Sequence, residues 1–241
     1  MIKTLLLKKG GECPFYGYRK LNHFLRSECN IMINAKKTYR LCREMDILLP
    51  LRKRRPASTS PIVFAKIPVS APDEHWQMDI TYITCFPRVM FILDILDSYT
   101  LEIVNYYLGF SVQNKEVTNL LKEALKRYRI QGSLKVRTDN GSQFLSKNMQ
   151  EFCKENGIEH ERIPVCSPER NPNIERFHGT LKNEFVNRNY FEGYQDFSIK
   201  LYDYIEFYCN ERYHESLNYM SPRQFRNAFS RNTATRGVLN V

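Results

Sequence analysis

The chain has 241 residues, enough for one sizeable domain or two small ones, and carries a net charge of +10. It holds no run of about eighteen apolar residues, which excludes a helical membrane span. The apolar triplet at residues 5–7 is too short for the core of a secretory leader. Its seven scattered cysteines form no C-x-x-C pair, which points to reduced thiols in a cytoplasm and away from a disulfide framework or a structural zinc site.

The charge is uneven. Residues 1–60 carry 14 Lys/Arg against 4 Asp/Glu, and the rest of the chain is neutral. A small basic module on a larger neutral one is the electrostatic pattern of a nucleic-acid anchor attached to something else. The segment YGYRKLNHFLRSE (16–28) places Tyr18, Leu21, Phe24 and Leu25 at helical spacing. Asn34 is placed to cap a second helix over about 35–46, with Ala35, Tyr39, Cys42 and Met45 on its apolar side. Lys36, Arg40 and Arg43 follow one another on a different face, with Lys37 beside them. Two short helices, the second with a basic face, fit a helix-turn-helix over residues 1–50. Residues 51–70 read as an extended basic linker in which Arg52, Lys53, Arg54 and Arg55 would track phosphates.

From His75 the period changes to that of strands. HWQMDITYIT (75–84) alternates around Trp76, Met78, Ile80 and Tyr82, and VMFILDIL (89–96) and LEIVNYYLGF (101–110) continue an antiparallel meander. An amphipathic helix is expected over 114–130 and a strand over 133–144 that ends at the turn Asp139-Asn140-Gly141. A short helix over 146–157, closed by Gly157, and a strand over 158–165 follow. Next comes RNPNIERFHGTLKNE (170–184), with Asn171 as a candidate cap, Pro172 at the first helical position and a stripe of Ile174, Phe177, Leu181 and Phe185. A long helix is expected near 195–210. Strands interleaved with helices make residues 71–230 an α/β layered domain, with a tail at 231–241.

Three acids stand where chemistry could use them. Asp79 interrupts an apolar strand, Asp139 ends a strand, and Glu175 lies in the first turn of a helix, where the dipole favours a carboxylate. Lys182 lies two turns beyond Glu175, a pairing that would be an ordinary solvated helix face if it stood alone. Converging carboxylates without a Cys/His cluster favour Mg²⁺ or Mn²⁺, and a pair of such ions can run phosphoryl transfer. On these grounds alone Asp73, Asp94 and Asp97 compete for the same role, and Asp139 could be only a turn residue.

WQMDITYI, RTDNGSQF and IERFHGTLKNEF, in that order, resemble the Asp-Asp-Glu transposases of the retroviral-integrase superfamily, and most of all the OrfB-type transposases of insertion sequences. The 35 residues between Asp139 and Glu175 match that family's gap. FYCNERYHESLNYMSPRQF (207–225) resembles its C-terminal signature at Asn210, Arg212, His214, Leu217, Tyr219 and Pro222, and YGYRKL and KKTYRLCREMDIL resemble its helix-turn-helix region.

The resemblance implies an RNase-H-like mixed five-stranded sheet flanked by helices, preceded by a small all-α helix-turn-helix region. It implies Asp79, Asp139 and Glu175 as ligands of two Mg²⁺ or Mn²⁺ ions, Lys182 facing a DNA end, and attack by water and then a DNA 3′-hydroxyl on phosphodiesters. His178 stays open between packing, phosphate contact and catalysis. Arg212, His214 and Tyr219 are read as structural in preference to DNA-proximal. The implied partners are terminal-repeat and target DNA, further copies of the chain, and a separate or fused helix-turn-helix protein; the implied location is the bacterial cytoplasm, at the nucleoid.

Departures from the pattern are Thr100 for a serine, Leu101 for an arginine, Tyr213 for a proline and Asn218 for a glycine, with Asp97 aligned to the second strand's acid and both Asp94 and Asp97 read as structural. The N-terminus is short for the family, so that a first helix is expected to be missing. An inactive or truncated copy that only binds DNA ends is therefore a rival reading, and a nuclease on RNA–DNA hybrids a more distant one.

Overall fold

The computed structural model describes residues 1–50, 68–84, 88–128, 130, 133–163, 171–232, 235–236 and 239–240. Arg52, Lys53, Arg54 and Arg55 of the expected linker lie outside these residues. No described helix is long and apolar enough to cross a membrane. The chain divides into two compact units, one built from the N-terminal helices with Tyr213–Tyr219, the other from the remainder.

The N-terminal unit holds three helices, α1 (Ile2–Glu12), α2 (Tyr18–Ser27) and α3 (Ala35–Glu44). Helix α1 was not expected from the sequence; its two glycines and weak apolar stripe hide it, and only Leu6 is buried. Helix α2 buries Leu21, Phe24 and Leu25 as its spacing predicts, and Asn22 with them. The Asn34 side chain caps α3 by accepting from the Lys37 amide at 2.8 Å.

The buried side of α3 differs from the expected one. It consists of Thr38 and Cys42, whereas Ala35 and Tyr39 are exposed. The reason is a polar contact: Asn22 donates to Thr38 Oγ1 at 2.8 Å and to the Ile33 carbonyl at 3.2 Å. Two buried polar groups that satisfy each other turn the helix about its axis. Lys36, Lys37, Arg40 and Arg43 remain exposed. Tyr213 stacks on Tyr16 at 5.4 Å and Tyr219 on His23 at 4.6 Å, which secures the returning segment to α2 and the residues before it.

The larger unit is a five-stranded mixed sheet in the order β4-β3-β2-β5-β6. Its strands are β2 (His75–Ile83), β3 (Met90–Asp97), β4 (Ile103–Gly109), β5 (Lys135–Thr138) and β6 (Glu159–Arg162). Strands β2 to β4 form the expected antiparallel meander, and β2, β5 and β6 run parallel. A short pair, β1 (Pro68–Val69) and β7 (Leu239–Asn240), stands apart. Helices α4 (Asn114–Tyr128) and α5 (Lys147–Glu155) cover one face, over a core of Trp76, Met78, Leu93, Ile95, Val136 and Leu121. Helices α6 (Pro172–Glu184), α7 (Tyr194–Asn210) and α8 (Pro222–Ser230) complete the unit.

The expected alternation of β2 is only partly observed: Gln77 is buried between Trp76 and Met78, and Tyr82 is exposed. A central strand covered on both faces loses the half-buried pattern on which alternation rests.

Candidate active site

Strand register builds the site. Gln77 on β2 is the partner of Arg137 on the parallel β5. Asp79 and Asp139 follow two residues on, past the last paired residues, and are near enough for the Asp139 charge to raise the pKa of Asp79. On the other side of β2, Asp79 faces Asp94 of β3, and Asp94 faces Tyr106 of β4. The strand period of two puts Gln77 and Asp79 on one face. That face meets α6, because Gln77 Oε1 accepts from the Ile174 amide at 3.0 Å.

A row of like charges therefore crosses the sheet beneath one helix. Burial raises the pKa of Asp79 above its ordinary value, His178 and the Ile80 amide pull it back, and Asp139 and Asp94 push it up again. Asp94 is fully buried, and burial raises it although His178 hydrogen-bonds to it. Tyr106 is pushed up to about 12, first by burial and then by Asp94.

Asp139 follows β5 in a tight turn. Its Oδ1 accepts from the Gly141 amide at 2.8 Å. A Cβ at position 141 would stand 3.0 Å from that same oxygen and 3.1 Å from Gln143 Oε1, so glycine is what the turn admits. Asn140 donates to the Ile163 carbonyl and ties the turn to the chain beyond β6.

Helix α6 carries the rest. Its stripe is buried as its spacing predicts, at Ile174, Phe177, Leu181 and Phe185. Asn171 occupies the cap position but makes no side-chain cap bond; the Gln77 carbonyl serves an amide of the first turn instead. Glu175 lies exposed in that first turn. His178, one turn later, is buried, with Nε2 at 2.9 Å from Asp94 Oδ2 and Nδ1 at 3.6 Å from Asp79 Oδ2. Lys182 places its ammonium over the Tyr82 ring at 4.9 Å from its centre. Glu184 closes the helix in a paired salt bridge with Arg212, at 2.6 and 2.7 Å.

Of the three expected acids, the structure thus brings Asp79 and Asp139 together and stations Glu175 on the helix above them. Among the described residues no three His, Cys, Asp or Glu side chains gather closely enough to hold a metal ion. The donors that do meet are hard carboxylate oxygens, and Asp79 is crowded by two more negative charges, so a divalent cation suits them.

Asp94, read from sequence as structural, stands in this group beside Asp79, and only the strand register reveals it. Asp97 belongs elsewhere: its Oδ1 accepts from the Thr100 amide and hydroxyl at 2.6 and 2.7 Å and holds the turn into β4. Thr100 supplies the hydroxyl there, and Leu101 takes a left-handed φ of 62° in the same turn. Asn218 also takes a left-handed φ, of 54°, which asparagine accepts where glycine is usual.

Comparison with known proteins settles the family. Two integrase core domain descriptions match residues 69–168 and 156–222, and an HTH-like domain matches residues 2–55. The chain belongs to the integrase core family. It is 31% identical over 214 residues to an uncharacterized protein of insertion element IS476 from Xanthomonas euvesicatoria, covering 87% of this chain and 60% of that one. It is 31% identical over 157 residues to the transposase for insertion sequence element IS904 from Lactococcus lactis, covering 65% of this chain and 62% of that one. The chain thus spans about three-fifths of the length of these two insertion-sequence relatives. In fold it is similar to the HTLV-2 integrase catalytic core domain solved in complex with magnesium, with a TM-score of 0.53 at 18% identity, covering 65% of this chain and 97% of that one. The RNase-H-like sheet expected from the integrase core motifs is therefore the fold of the larger unit.

Proposed function

We propose that this integrase core chain is a transposase that cleaves and joins DNA strands with a divalent metal. The observation that supports the reading is the Asp139 charge acting on Asp79 from the end of the neighbouring parallel strand, with Glu175 in the first turn of the helix that Gln77 docks to the same strand. Asp79, Asp139 and Glu175 would hold Mg²⁺ or Mn²⁺. A pair of such ions activates an attacking oxygen and stabilises the leaving one at a phosphodiester.

The chain's own groups do the remaining work. The Gly141 amide fixes the Asp139 carboxylate, and Gln77 fixes the first turn of α6 and with it Glu175. Lys182, two turns along α6, presents a cation to the DNA end. The exposed Lys36, Lys37, Arg40 and Arg43 of α3 anchor phosphates without taking part in chemistry. Joining two element ends to a target calls for more than one active site, so the working form is a multimer on DNA.

A second reading, an end-binding protein without chemistry, draws on one observation: Glu175 is not gathered with the two aspartates into a metal-holding trio. Asp139→Asn separates the two. A transposase loses cleavage and joining in this variant and keeps its affinity for DNA ends in a gel-shift assay. Equal product from the variant and the unmutated chain would refute the metal-site assignment.

A further inference from the structure

The buried pair Asp94–His178 has no role in the three-carboxylate scheme. We propose that His178 is a nitrogen ligand of the metal held at Asp79, aimed there by the buried carboxylate of Asp94. The inference rests on the metal-dependent reading above.

Three observations carry it. First, the two ring nitrogens face two different acids. Nε2 lies 2.9 Å from Asp94 Oδ2, a hydrogen bond; Nδ1 lies 3.6 Å from Asp79 Oδ2, beyond one. Nε2 is thus engaged by Asp94, and Nδ1 is the ring nitrogen that faces the Asp79 carboxylate. An imidazole nitrogen and a carboxylate oxygen that face each other in this way can share one divalent cation. Ligand atoms each about 2.1 Å from one ion stand roughly 3.0 Å apart at a right angle and roughly 3.4 Å apart at a tetrahedral one. The observed 3.6 Å is about 0.6 Å beyond the right-angle value and about 0.2 Å beyond the tetrahedral one.

Second, Asp94 is fully buried, and its Oδ1 has no hydrogen-bond partner among the described residues. A buried carboxylate with a single partner is costly to keep. Metal-binding histidines characteristically spend the second nitrogen on such a carboxylate, which fixes the ring and makes the first nitrogen a better donor.

Third, Glu175 and His178 are three residues apart on one helix. Glu-x-x-His at this spacing projects both side chains from the same helix face and serves as a ligand pair in other folds.

An imidazole in the site has a chemical consequence. It moves preference from Mg²⁺ towards ions that accept nitrogen, Mn²⁺ among the hard ones.

The test is pulsed electron paramagnetic resonance on the full chain with Mn²⁺ and no DNA. The expected result is a ¹⁴N coupling from a directly bound imidazole in the unmutated chain, lost in His178→Gln while Mn²⁺ stays bound. Asp94→Asn should weaken Mn²⁺ binding about 10- to 100-fold. ¹⁵N-histidine labelling of the unmutated chain gives the same readout without a substitution, should His178→Gln fold poorly. Mn²⁺ bound in an Asp139-dependent way without nitrogen coupling would overturn this inference and leave the three carboxylates standing. Mn²⁺ that does not bind, or binds equally to Asp139→Asn, would overturn both.

Discussion

At the scale of single residues, the site depends on side chains that hold other side chains. Gly141 is one of them. Gly141→Ala brings a methyl against Asp139 Oδ1, at 3.0 Å before any adjustment, and the carboxylate must move. Cleavage should fall about tenfold or more, because misplacement well under an ångström is felt in catalysis. Stability should change by less than about 1 kcal/mol at this turn; a urea titration beside the cleavage assay checks both. His75 makes a second case. Its ring is buried, with Nδ1 at 2.7 Å from Ser98 Oγ and Nε2 at 3.4 Å from Glu161. Burial lowers its pKa below the ordinary 6.5, against the pull of Glu161 and Asp97 and together with the charge of Arg137. Between the lowered value and about 6.5 the unfolded chain binds a proton that the folded chain refuses, so this group costs stability as pH falls through that window. Urea unfolding at pH 7.5 and 5.5 should show a smaller acid loss in His75→Gln than in the unmutated chain. An equal loss would remove His75 from the pH response.

At the scale of elements, α6 is the part most legible in the sequence, and its neighbours are less so. The stripe Ile174, Phe177, Leu181 and Phe185 announces the helix because apolar spacing is local information. The Gln77 bond that docks its first turn and the Arg212 bridge that closes its end are not local: their partners lie 97 and 28 residues away. The place of Asp94 beside Asp79 was hidden for the same reason. Its place depends on which residue of β2 it faces, and register emerges only when strands pair. Helix α1 and the turned face of α3 escaped because a weak stripe and a polar Asn22–Thr38 contact leave no apolar period to read. The Arg212–Glu184 bridge gives the prediction at this scale. Arg212→Ala strands a carboxylate that is buried and otherwise touched by Tyr204 at 3.4 Å, and should cost about 3–5 kcal/mol in urea unfolding. Replacing both partners, Arg212→Met with Glu184→Leu, should recover most of that loss, since an apolar pair needs no desolvated charge.

For the whole molecule, charge is divided by function: the excess of basic residues sits in the first 60 positions, and the acids that would hold metal sit in the integrase core. That division predicts separable losses. Lys36→Ala with Arg40→Ala should weaken binding to element ends and lower the slope of log affinity against log salt by roughly 1.8, about 0.9 for each lost phosphate contact. An unchanged slope would take the anchor away from α3. Asp139→Asn should do the reverse, sparing binding and its salt dependence. The most direct measurement of the central claim is strand transfer by the purified chain, with Mg²⁺ or Mn²⁺, on labelled duplexes carrying the ends that flank its own gene. Joined products that vanish in Asp139→Asn and in Glu175→Gln are the predicted result. Joined products that persist in either variant, or ends that are bound by the unmutated chain and never joined, would contradict it.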